Sequence, residues 1–133
     1  MIRFFGGRVM TLANDIETQD IEVWTEGSKI VFVGKPKAEE LDGKVFEREY
    51  DLKGNLLMPS FKNAHTHSAM TFLRSYADDM PLQDWLFKQI FPMEAKLDGE
   101  KVYWLTKLAI LEYLTTGCTA AFDMYFELDD YVK

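Results

Sequence analysis

The stretch Leu56–His67, LLMPSFKNAHTH, decides how the rest of this chain is read. An apolar run broken by Pro59 leads into two histidines one residue apart, His65 and His67. In an extended strand, positions i and i+2 project to the same face, so the two imidazoles converge on one point. Neutral imidazole ligates zinc, iron, copper and nickel, and a convergent pair at the end of a buried strand suits a divalent transition metal. The spacing alone is a weak signal, because two neighbouring histidines are more often solvated or hydrogen-bonded to the fold than ligands. Their surroundings have to decide.

Upstream, the pattern is that of short β-strands, at Ile2 to Phe5, Arg8 to Leu12, Asp20 to Thr25, Lys29 to Gly34 and Val45 to Tyr50. Asn14-Asp15, Glu26-Gly27-Ser28, Gly34-Lys35-Pro36 and Asp42-Gly43 supply turn chemistry between them, which predicts a β-meander. The turn at Glu26 to Ser28 predicts a hairpin. Ala38 to Leu41 reads as one helical turn. After Gly54 the alternation gives way to a continuous apolar run of the kind buried on both faces of a parallel sheet, so a new domain is expected to begin at Leu56.

Downstream, Ser68 to Ala77 reads as a short helix stopped by Asp78-Asp79-Met80-Pro81, and Leu82 to Leu97 as a second one interrupted near Pro92. Gly99 to Thr116 is the clearest helix. Asp98 is its N-cap candidate, Gly117 its stop, and Val102, Leu105, Leu108, Leu111 and Leu114 its expected apolar stripe. Cys118 to Tyr125, CTAAFDMY, reads as another buried strand. A strand, a helical crossover and a strand make a βαβ unit, which predicts a parallel sheet. The helical material between His67 and the long helix is longer than an ordinary βα loop, and it leaves the strand at the end where α/β folds place their sites.

Composition narrows the partners. The 133 residues carry a formal net charge of −7, which excludes the basic surface that nucleic acid requires and favours small molecules or proteins. No apolar run reaches the roughly 18 residues of a membrane span, and Met1 to Phe5 lacks the pattern of an export signal. Cys118 is the only cysteine, so an intrachain disulfide and a Cys-rich zinc module are excluded, and a reducing cytoplasm fits.

The runs MPSFKNAHTHSAMTFLRSYADD and LQDWLFKQIFPMEAKL together resemble the amidohydrolase superfamily, and within it the 5-methylthioadenosine/S-adenosylhomocysteine deaminases with their chlorohydrolase and guanine deaminase relatives. The likeness runs from about Leu56 to Tyr125. It implies an α/β fold, in which residues 1–55 are the N-terminal part of a small composite β-sandwich and residues 56–133 begin a (β/α)8 barrel. It makes His65 and His67 the first two ligands of a catalytic divalent metal, zinc above all, with Fe2+ and Mn2+ as alternatives. It matches Glu94 to the acid that binds the ribose hydroxyls of the substrate, although by residue type alone a helix-surface glutamate is the commoner reading. Trp85 lines the purine pocket in this reading; a core tryptophan is the equal alternative. Asp123 receives no catalytic role, because the required acids of the family lie on later strands. Ser60 stands where relatives commonly have glycine.

The implied reaction is hydrolytic deamination of a purine nucleoside such as 5-methylthioadenosine or S-adenosylhomocysteine, in which a metal lowers the pKa of water and hydroxide attacks the amino-bearing carbon. A guanine, cytosine or triazine hydrolase is the runner-up. A closed barrel takes about 250 residues and this chain offers two barrel strands, so it is expected to be the N-terminal portion of a larger enzyme, inactive alone. Exposed sheet edges and helix faces would then favour association with the remainder or self-association. A β-rich binding module with incidental histidines is the reading from a different class.

Overall fold

The computed structural model describes residues 1–13 and 17–125. The Asn14-Asp15 turn lies outside the described residues. The chain divides into two compact units between Pro59 and Ser60.

In the first unit, β1 (Ile2–Phe5), β4 (Glu22–Glu26), β5 (Lys29–Gly34) and β6 (Arg48–Asp51) form one sheet in the order β5-β4-β1-β6. A second sheet has the order β3-β2-β7, from β2 (Arg8–Met10), β3 (Thr18–Gln19) and β7 (Leu56–Leu57). The β4–β5 hairpin forms as expected, antiparallel with Glu26 opposite Lys29 and Gly27 at φ +57° in the first loop position. The helical turn α1 (Ala38–Leu41) also forms.

The meander does not. β1 pairs in parallel with β6, and β2 in parallel with β7, so strands distant in sequence lie side by side. Turn residues report only sequence-adjacent pairing, and parallel partners joined by a long connection leave no such local mark. At the corner between the sheets, Leu52 N–H donates to Phe5 O (2.7 Å), Gly54 N–H to Gly6 O (2.7 Å) and Arg8 N–H to Asn55 O (3.1 Å). The two chain segments therefore turn from one sheet into the other as a bonded pair. Leu56 and Leu57, the start of the apolar run, pair with Arg8 and Val9 inside this first unit.

Val9, Val23 and Trp24 are buried at the centre of the unit. The Trp24 ring stacks on Phe32 at 4.1 Å between centroids and meets the edge of Phe46 at 5.2 Å. The Trp24 indole N–H donates to Glu22 (2.9 Å), whose carboxylate also takes two bonds from the Arg3 guanidinium, at 2.6 and 2.7 Å. A bidentate pair of this kind fixes geometry as well as charge.

In the second unit, β8 (Phe61–Thr66) and β9 (Cys118–Asp123) pair in parallel, as the βαβ reading requires. Between them lie a 3-10 helix (Ser68–Leu73), α2 (Leu82–Asp84), a π-helical stretch (Trp85–Ile90), α3 (Phe91–Glu94) and α4 (Gly99–Thr115). The wide turn precedes Pro92, which has no N–H to return to Lys88, and Phe91 N–H reaches back five residues to Leu86 O.

Two expectations fail here. Neither strand is buried on both faces: of β9 only Cys118 is buried, and Phe61 and Phe122 stand out to solvent. Two strands and the helices described beside them do not supply covering layers on both sides. The stripe on α4 is also different. Val102, Thr106 and Ala109 are buried, whereas Leu108, Leu111 and Leu114 are exposed. A repeat of three falls short of the 3.6-residue turn and drifts around the helix, while spacings of four and three hold one face. That face meets the 3-10 helix, and the Thr71 hydroxyl donates to Leu105 O (3.2 Å). Asp98 caps α4 by accepting Lys101 N–H at 2.9 Å, and the helix ends before Gly117 at φ +80°.

Candidate metal-binding site

β8 carries Phe61–Thr66, so His65 sits in its last turn of pleat and His67 one step beyond its end. The two rings lie 5.2 Å apart between centroids at 81° to each other. His67 Nδ1 is 2.5 Å from the carbonyl oxygen of Met124, at the end of β9. A carbonyl oxygen only accepts, so Nδ1 carries the proton, and the lone pair of the neutral ring is then on Nε2. A backbone or carboxylate acceptor on one nitrogen commonly orients the other toward a metal. The His65 amide donates to the Asn63 side chain (3.1 Å).

The backbone around His67 is held from β9 and α4. Met124 N–H donates to Thr66 O (3.1 Å), and Ser68 N–H donates to the Asp123 carboxylate (3.2 Å). Asp123 thus accepts a backbone bond at the start of the 3-10 helix, a structural use of the acid. The Tyr113 hydroxyl lies 2.5 Å from Thr66 Oγ1 and 2.7 Å from Ser68 Oγ.

His67, Trp85, Tyr113, Thr66, Ser68 and Glu112 line part of one cavity of about 340 Å3. His65 and Glu94 do not line it. Glu94 is half-buried at the end of α3. At the rim, Arg74 and Glu112 form a bidentate pair at 2.6 and 2.9 Å. This hydrogen bonding raises the Arg74 pKa and holds the Glu112 carboxyl below its ordinary range, so both stay charged. A larger cavity of about 530 Å3 lies in the first unit, and no ionisable side chain lines it among the described residues.

The donor set suits a divalent metal as far as it goes: two imidazoles brought together, one with its tautomer fixed. No group of three or more His, Cys, Asp or Glu residues able to hold a metal occurs among the described residues. Tyr113, Thr66, Ser68 and the Met124 carbonyl are absent from the sequence reading. The spacing Val102, Thr106, Ala109, Tyr113 was the available signal for Tyr113, since it continues the buried face of α4. Cys118 is buried. No described helix is long and apolar enough to cross a membrane.

Residues 56–133 match the model of the amidohydrolase family. A 5-methylthioadenosine/S-adenosylhomocysteine deaminase of Pelotomaculum thermopropionicum is 43% identical over 125 residues, covering 93% of this chain and 29% of that protein. A 5'-deoxyadenosine deaminase of Methanospirillum hungatei is 58% identical over 80 residues, covering 60% and 18%. The chain therefore spans less than a third of the length of these curated relatives. An adenosine deaminase from Xanthomonas campestris, solved with bound zinc, superposes with a TM-score of 0.89 at 34% identity, covering 98% of this chain and 30% of that one. At 21% identity, the atrazine chlorohydrolase of Arthrobacter aurescens shares the fold, with a TM-score of 0.83 over 99% of this chain and 32% of its own. With its paired histidines, parallel strands and family match over more than half its length, this chain belongs to the amidohydrolase family.

Proposed function

We propose that these residues are the N-terminal portion of a metal-dependent aminohydrolase that deaminates a purine nucleoside, with adenosine thioethers such as 5-methylthioadenosine or S-adenosylhomocysteine as substrates. The observation that carries this reading is the His65–His67 pair, its rings 5.2 Å apart and His67 Nδ1 bonded to the Met124 carbonyl. In the reading, residues 1–55 contribute to a composite β-sandwich and residues 56–133 begin a (β/α)8 barrel; the full-length protein works in the cytoplasm.

His65 and His67 hold a divalent metal, zinc first, since zinc is the ion bound in the solved adenosine deaminase of Xanthomonas campestris. When bound, the metal supplies an activated water for attack on the ring carbon that bears the amino group. Trp85 presents its ring to the purine from the cavity it shares with His67, and Glu94 accepts from the ribose hydroxyls. Two imidazoles leave the coordination incomplete and provide no group to carry protons. The 133-residue chain alone is therefore inactive.

Ammonia release by the full-length protein, assayed with the two thioethers, adenosine, 5'-deoxyadenosine, guanine, cytosine and a chlorotriazine, tests the reading. Zinc-dependent turnover of the nucleosides supports it. Turnover confined to guanine, cytosine or the triazine overturns the substrate class, and deamination by the isolated 133-residue chain overturns its predicted inactivity.

A further inference from the structure

We propose that Tyr113 is a positioning residue for His67, its hydroxyl tying together the two residues on either side of that histidine. The inference rests on the reading of His67 as a metal ligand. β8 ends at Thr66, and the chain leaves it through His67 at φ −132° and ψ 78°, so the regular ladder no longer fixes the residue that must present Nε2. Tyr113 comes from α4, on the face that continues from Ala109, and its oxygen bonds both Thr66 Oγ1 and Ser68 Oγ, at 2.5 and 2.7 Å.

A phenol hydroxyl donates one hydrogen bond and accepts others, so a single oxygen can bridge both hydroxyls. Ser68 is buried and Thr66 and Tyr113 are half-buried, and each of the three oxygens has a partner within the group. The Met124 carbonyl sets the rotation of the His67 ring, while Tyr113 sets the backbone that carries it. Ring and backbone are thus held from different places, the residue just past β9 and α4. Tyr113→Phe keeps the ring and removes only the bridging hydroxyl.

The test is made on the full-length protein. Zn2+ affinity is measured by competition with a chromophoric chelator, and the visible absorption of the Co2+-substituted protein reports ligand geometry. Tyr113→Phe should weaken Zn2+ binding about tenfold, the lower end for loss of a group that orients a ligand, and should alter the Co2+ bands. Ser68→Ala and Thr66→Val, each removing one bond of the bridge, should give smaller losses in the same direction. Unchanged affinity and superimposable Co2+ spectra in Tyr113→Phe overturn the inference. If that variant does not fold, unchanged values in Ser68→Ala and Thr66→Val overturn it equally. A wild-type protein that takes up neither metal overturns the metal reading itself, and this inference with it.

Discussion

Both units of this chain bury some apolar residues and leave others open, and what they differ in is what holds the part that matters most: an aromatic stack in the first, a set of hydrogen bonds at the candidate site in the second. In the first, Trp24, Val23 and Val9 are enclosed by strands of their own sheets, and the aromatic stack on Trp24 is complete within residues 1–59. In the second, Ile90, Val102, Ala109, Ala69 and Leu73 are buried between the helices, while β8 and β9 leave most of their residues open and α4 turns Trp104, Leu108, Leu111 and Leu114 to solvent. The candidate site is in the second. Its order comes from hydrogen bonds on His67 and its two neighbours: Thr66, Ser68 and His67 are each tied to α4, to β9 or to Met124 just past it. The first unit is specified by packing and the site by polar connections.

Trp24→Ala should make the sharpest cut. Removing a buried indole that stacks on Phe32 costs about 3–5 kcal/mol, read as a fall in the urea midpoint together with faster amide exchange in β4 and β5. A loss under about 1 kcal/mol would break the contrast, since the first unit would then not depend on its own core. His67→Ala probes the other side. It should reduce Zn2+ affinity of the full-length protein beyond the ~10–100-fold expected for an orienting partner, with little change in the urea midpoint. A large stability loss with unchanged zinc affinity would make His67 a packing residue.

The contrast also explains what could be read from the sequence. The hairpin at Gly27, the cap at Asp98 and the stop at Gly117 each have a local cause, and the parallel β8–β9 pairing follows from the strand–helix–strand order; all appear where the residues place them. The pairing of β1 with β6 and of β2 with β7 has none, because the choice of partner is made by the corner at Gly6 and Leu52 to Asn55. The same holds at the site. His65 and His67 are visible as an i, i+2 pair, but the Met124 carbonyl has no side-chain signature at all. Tyr113 lies off the leucine repeat of α4, on the face where Val102, Thr106 and Ala109 are buried. The roles of Trp85 and Glu94 came from resemblance rather than from the residues.

Acid should separate the units next. The Arg3 guanidinium, with smaller help from the Trp24 indole, holds the Glu22 carboxyl below its ordinary pKa of 4.5, against the opposing effect of burial. A carboxyl depressed on folding stabilises the folded state above its unfolded pKa, and the contribution is lost as pH falls through the folded value. The Arg3–Glu22 contribution is therefore complete at neutral pH and declines below about pH 4.5. Glu22→Gln should cost the first unit about 2 kcal/mol at pH 7 and progressively less in acid, measured by urea unfolding across pH. An equal cost at pH 7 and pH 2 would show that shape rather than charge holds this corner of the sheet.

The smallest effect is expected at Gly117, where α4 gives way to β9. Its φ of +80° lies in the left-handed region, and its amide donates to Leu114 O at 3.3 Å. The neighbouring Gly117 carbonyl accepts Phe61 N–H at 2.9 Å, so the same residue closes the helix and starts the pairing with β8. An added Cβ would meet Phe61 Cδ2 at 3.8 Å, an ordinary contact, so space is not the obstacle. The cost of Gly117→Ala is the backbone conformation alone, about 1–2 kcal/mol for an L-residue held there. Gly117→Asn should recover part of it, since asparagine tolerates this region better than alanine. Amide exchange at Phe61 and in the last turn of α4 reads both. If alanine and asparagine behave alike, the junction relaxes out of the left-handed conformation, and the hold on β8 at this end comes from the Ser60–Thr119 hydroxyl contact and Lys62 instead.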